Sequence, residues 1–97
     1  MLMPYLETYK ETIIMDFSEI NKMLDEINED RTVPRNIRTH ITETKMHLNN
    51  EKEDLDVRLN SAISILDDVS NDPNIPIYTR TQIWNIVSLL EAMHNNK

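Results

Sequence analysis

The sequence predicts an all-α protein, a four-helix bundle made of two repeated helical hairpins, and three observations carry that expectation. First, the chain matches itself at an offset of forty-two residues. With Met23–Leu48 laid over Ile65–Leu90, eight of twenty-six pairs are identical, among them Leu24/Leu66, Asp30/Asp72, Pro34/Pro76, Arg38/Arg80 and Ile41/Ile83. Chance would give about one or two, so each half reads as one supersecondary unit. Second, apolar residues recur at steps of three and four, the period of one helix face. Third, nothing in the chain alternates with the period of a strand, and no low-complexity tract or long linker interrupts it.

The elements follow in order. The stripe Ile13, Phe17, Ile20, Leu24 and Ile27 predicts a first helix from near Pro4 to near Asn28, because proline suits a first turn, where its missing N–H is no loss. Glu29 to Val33 then form a turn, and Pro34 forces Val33 out of helical conformation before a second helix runs to about Asn49. A third helix is expected after Asn50, whose side chain would cap the free N–H groups while Glu53 reaches back in a capping box. Its stripe, Leu55, Leu59, Ala62, Leu66 and Val69, repeats the first without a slip. Asn71 to Ile75 make the second proline-marked turn, and the last helix spans Pro76 to about His94. Without glycine, Asn28, Asn49 and Asn71 are the expected left-handed helix caps.

Ninety-seven residues with 39% apolar content suit one domain, residues 1–97, with a single core. Cysteine is absent, which removes disulfides, thiolate metal sites and thiol nucleophiles. Glycine is absent too, so a phosphate-cradling loop, a dinucleotide turn or a nucleophile elbow cannot be built in the usual way. The formal charge of −7 disfavours nucleic acid and favours a protein partner. Neither a secretion signal nor a membrane span is readable, and the expectation is a cytoplasmic protein with no cofactor.

Four groups of residues are candidates for a role. The repeated turn Asp-x-x-(Val/Ile)-Pro-x-x-x-Arg places Asp30 near Arg38 and Asp72 near Arg80; its presence in both copies points to a structural clasp, with the aspartate bonding turn N–H groups and the arginine pairing with it. His40, Glu43 and His47 fall on one side of the second helix and could hold a divalent metal, but they flank the core line, their counterparts are Gln82, Asn85 and Leu89, and a solvated helix face is the better reading. Arg31, Arg35 and Arg38 make the first turn the one basic region, a place where RNA or an acidic partner could dock. Apolar residues spread around much of the last helix, more than one core face needs; the surplus fits either a helix central in the bundle or an exposed patch centred on Trp84, and Ile77, Trp84 and Val87 are the expected partner surface, with a homodimer through this helix as one form of it. No spacing of serine, histidine and acid suggests a nucleophile with its base.

The segment Asp54 to Pro76, followed by Arg80-Thr-Gln-Ile-Trp-Asn-Ile-Val-Ser-Leu-Leu-Glu, together with Val33-Pro34-Arg35-Asn36-Ile37-Arg38, resembles an uncharacterised family of small archaeal proteins, number 0147 of its series. The resemblance implies a compact bundle of four helices and an archaeal cytoplasm; it implies no activity and brings no catalytic residues. The repeat is also similar to a pair of HEAT units, but two such units alone would leave a core face open at each end, whereas two hairpins can close on one another. The expected function is a non-catalytic interaction or structural module, with an adaptor acting through the basic turn as its alternative.

Overall fold

In a computed structural model the described residues, 17–95, form four α-helices and no strand. They are α1 (Ser18–Asn28), α2 (Arg35–Leu48), α3 (Leu55–Ser70) and α4 (Ile77–Asn95). Each helix packs on its neighbour in sequence, and α4 packs back on α1, so the ring is closed and the open HEAT-like alternative is not adopted. The expected start of the first helix at Pro4, and Ile13 of its stripe, lie outside the described residues.

The periodic stripes are the core. Phe17, Ile20, Leu24 and Ile27 from α1, Ile37, Ile41 and Leu48 from α2, Leu59, Ala62, Leu66 and Val69 from α3, and Ile83, Ile86 and Leu90 from α4 are all buried. Burying one such leucine is worth about 2 kcal/mol, so the stripes carry most of the driving force. Two buried positions are threonines. Thr44 satisfies its hydroxyl by donating to His40 O at 2.8 Å, while Thr79 Oγ1 has no partner. The two occupy different rungs of otherwise matched core lines, for Thr44 aligns with Ile86 and Thr79 with Ile37.

All three connections have one construction. The N–H of Asp30, Asn50 and Asp72 donates to the carbonyl three residues back, at 3.2, 3.3 and 3.0 Å, and the N–H of Val33, Glu53 and Ile75 returns to the carbonyls of Asp30, Asn50 and Asp72. The Oδ1 atoms of the same three residues accept the N–H two residues on, from Thr32, Lys52 and Asn74. Such turns need no positive φ, and among the described residues none adopts one. The left-handed asparagine caps expected at Asn28, Asn49 and Asn71 are therefore absent: Asn49 and Asn71 sit at φ −99° and −91°. A helix that ends in a tight three-residue hydrogen bond followed by an Asx turn has its last carbonyls covered without glycine.

The middle turn differs from expectation in a related way. Asn50 and Glu53 do bond, Nδ2 to Oε1 at 3.0 Å, but inside the turn and not as a helix cap. Helix α3 begins only at Leu55, after Asp54 takes φ −62° and ψ 150°, close to the −57° and 151° of Pro34. An aspartate here adopts the conformation that proline imposes in the turn before it.

Candidate functional site

Three arginines, each four residues past the turn's last residue, occupy one register: Arg38, Arg58 and Arg80. Arg80 donates Nε to Ser70 O at 2.9 Å and Nη2 to Asp72 O at 3.2 Å. Arg58 donates Nε and Nη2 to Leu48 O and lies over the Phe17 ring, 5.1 Å from its centroid. The clasp is thus arginine to main-chain carbonyl, not arginine to carboxylate. The expected pairing of Asp72 with Arg80 and of Asp30 with Arg38 does not form, because the aspartates are turned inward to their own turn N–H groups. Thr32 holds Asp30 by hydroxyl and N–H, at 2.6 and 2.9 Å, and these two donors keep the Asp30 carboxyl below its ordinary pKa. Arg58 was missed from sequence because its turn has no proline.

Arg38 breaks the pattern. It makes no side-chain hydrogen bond or ion pair, and its Nε is closed to solvent without an acceptor. It lines a shallow, open cleft on the surface with Asn28, Arg35, Thr39 and Thr42. The basic residues read from sequence are therefore divided, since Arg35 and Arg38 meet in this cleft and Arg31 stays on the exposed turn outside its lining. Asn28 and Thr42 belong to a ladder across α1 and α2. Asn21 and Asn49 exchange amide hydrogen bonds at 2.9 and 3.1 Å, Lys45 Nζ meets Asp25 Oδ1 at 2.7 Å, and Asn28 Nδ2 donates to Thr42 Oγ1 at 3.3 Å.

Of the metal candidates, His40 Nδ1 and Glu43 Oε1 approach to 3.7 Å and face Asp68 and Asp72 across a smaller cleft between α2 and α3, while His47 is not among the lining residues. Among the described residues no group of three or more histidine and acidic side chains is placed to hold a metal ion.

The outer face of α4 carries large exposed apolar side chains and no charged side chain until Glu91, one heptad beyond Trp84. Ile77, Tyr78, Trp84 and Leu89 are 79%, 69%, 56% and 43% exposed. At 100° per residue they make two lines, Ile77 with Trp84 and Tyr78 with Leu89, roughly 120° apart, with Thr81, Asn85 and Ser88 between them. Val87 is not part of this face. It is 8% exposed and packs in the core, one turn from Ile83 on the buried line. Tyr78 takes its place, a residue overlooked because its hydroxyl hides its apolar ring from an aliphatic count. None of the described helices is long and apolar enough to cross a membrane.

Comparison with known proteins agrees with the resemblance read from the turn motifs. The model of a family described as "Uncharacterised protein family (UPF0147)" matches residues 7–93. A UPF0147 protein of Methanosarcina acetivorans is 54% identical over 72 residues, 74% of this chain and 74% of its own. One from Methanocaldococcus jannaschii is 58% identical over 71 residues, covering 73% and 76%. A crystal structure of a protein from this uncharacterised family, from Thermoplasma acidophilum, superposes with a TM-score of 0.76 at 43% identity, over 79% of this chain and 91% of that one. A second, of a protein of unknown function, gives 0.74 at 57% identity, over 77% and 85%.

Proposed function

We propose, for a chain that belongs to the Uncharacterised protein family (UPF0147), a non-catalytic role as an interaction module that pairs with a second copy of itself through α4. The observation that carries this reading is the contrast between α4 and the other helices. On a chain of net charge −7, α4 contains no carboxylate before Glu91 near its end, and the one cation of the run Ile77–Leu90, Arg80, is engaged by main-chain carbonyls. The exposed faces of α1, α2 and α3 all carry charge, at Glu19, Lys22 and Glu26, at Arg35 and Glu43, and at Asp56, Asp67 and Asp68.

Two copies meeting elsewhere would oppose charged side chains at the centre of the contact, whereas two α4 faces crossing near Trp84 around a two-fold axis would leave Glu91 at the rim. Each would cover the other's Trp84, the residue type favoured at interface centres. A helix of 19 residues is about 28 Å long, and one such face is at the small end of the roughly 800 Å² per partner that stable complexes bury. The expected dimer is accordingly weak, with dissociation in the micromolar range.

Gel filtration with light scattering across that range should show a monomer passing to a dimer, and Trp84→Lys should weaken association at least tenfold while leaving the helical signal unchanged. A strict monomer at high micromolar concentration sinks the proposal. So does a monomer in which Trp84 is already shielded from a neutral quencher, because the face is then covered by the chain itself.

A further inference from the structure

We infer that the two copies lie with their α4 helices antiparallel and in one register, Trp84 against its own copy at the two-fold axis and Tyr78 against the partner's Leu89. This rests on the pairing through α4 proposed above and adds an orientation to it, which three features of the helix select.

The first is the placement of the large exposed side chains. Tyr78 and Leu89 share one line of the outer face and stand six residues before and five after Trp84, which lies on the other line with Ile77. A two-fold axis at right angles to both helices keeps each line on its own side and reverses its direction. With that axis at Trp84, the two indoles meet and Tyr78 of one copy comes level with the partner's Leu89. A parallel pair exchanges the lines instead. Trp84 would then fall level with the gap between the partner's Tyr78 and Leu89, and Leu89 level with the partner's Glu91.

The second is charge. Glu91 is the first carboxylate of α4 and shares the line of Ile77 and Trp84. An antiparallel pair sets the two Glu91 residues about 21 Å apart along the helix axis, well past the roughly 8 Å over which salt lets exposed charges interact. Each then comes level with Ile77 in the first turn of the partner's α4, where the helix dipole favours a negative charge. That first turn has no acidic residue of its own, whereas those of α1 and α3 have Glu19 and Asp56. A parallel pair would bring both carboxylates to one level and like helix ends together, on a chain already at −7.

The third is the floor between the lines, where Thr81, Asn85 and Ser88 are short and exposed. Short side chains let two helices approach closely, and in the antiparallel register Thr81 comes level with the partner's Ser88, so that hydroxyl faces hydroxyl and each can donate or accept.

Cysteine is absent from the chain, so an introduced thiol has no native partner. Tyr78→Cys and Leu89→Cys, mixed and shown by light scattering to be dimeric, should join under mild oxidation, while either variant alone should join little. Glu91→Gln, at an exposed position, should weaken association about threefold to tenfold at low salt, because two carboxylates lose the partner's helix end. A dimeric mixture that fails to join, a Ser88→Cys variant that joins to itself as readily, or a Glu91→Gln dimer tighter than the parent overturns the antiparallel register and leaves pairing through α4 standing. A parent that stays monomeric removes both.

Discussion

The two hairpins share an interior and differ on their outer faces. In the first, positions 21, 25 and 28 of α1 meet 49, 45 and 42 of α2 in a polar ladder of amides and one ion pair. Forty-two residues on, the same positions are Ile63, Asp67 and Ser70 on α3, and Glu91, Val87 and Trp84 on α4. No cross-helix polar pair survives that substitution among them; Ser70 instead donates to Asp67 O within its own helix. Lys45 becomes a core valine and Thr42 an exposed tryptophan. The first hairpin therefore closes its outer side with hydrogen bonds and keeps two arginines free, while the second closes it with apolar contact and has tryptophan to spare. What the comparison teaches is that the scaffold leaves the outer positions open, and that each hairpin has filled them for a different kind of surface.

The sharpest way to break this comparison is at the arginine register. Arg80→Met should cost about 2 kcal/mol, because two partly buried carbonyls, Ser70 O and Asp72 O, lose a charged donor. Arg38→Met should be neutral or slightly stabilising, since it removes an N–H that has no acceptor. Urea denaturation of the two variants beside the parent measures the difference. Equal losses would mean that Arg38 clasps its turn as Arg80 does, and the asymmetry between the hairpins would disappear.

How far the sequence announces all this depends on the range of the interaction. The core stripes were legible because burial on one helix face imposes a period that a single chain displays, and Phe17 through Ile27 and Leu59 through Val69 are buried as their spacing requires. Pro34 and Pro76 marked two turns; Asp54 concealed the third, because proline's backbone angles can be adopted by a residue that does not enforce them. The helix ends were misread for the opposite reason. Asparagine tolerates the left-handed region, but the turns here avoid it altogether. For the cleft, Arg35 and Arg38 were visible as a local charge cluster, whereas Asn28 and Thr42 come from two helices and pair only once the hairpin register is known. Val87 was placed outside because an apolar spread around a helix does not say which edge faces the core.

A smaller effect sharpens the comparison inside the bundle. Thr79→Val should stabilise the protein by about 1 kcal/mol, as it removes a fully buried hydroxyl with no partner and keeps the shape. Thr44→Val should give no such gain, because there the hydroxyl is already bonded to His40 O. Thermal denaturation reads both, and an equal response would show that the two rungs are equivalent after all.

The smallest expected effect concerns the first turn alone. Asp30 is held by the Thr32 hydroxyl and N–H, which favour its charged form and depress its folded pKa. A depressed carboxylate contributes stability that is complete above the unfolded pKa and is lost as pH falls through the folded one, so this turn should loosen only in acid, below the ordinary aspartate range. Asp30 lies on a surface turn where solvent screens its charge, so the loss should be slight and is better read from the group itself than from global unfolding. In carboxyl-detected NMR, Thr32→Val should move the Asp30 midpoint upward, towards the ordinary value, with the N–H of residue 32 still bonded. A midpoint that stays where it was would show that the backbone N–H alone sets the charge of this turn, and that the hydroxyl, which has no counterpart at Asn74 or Lys52, adds nothing particular to the first hairpin.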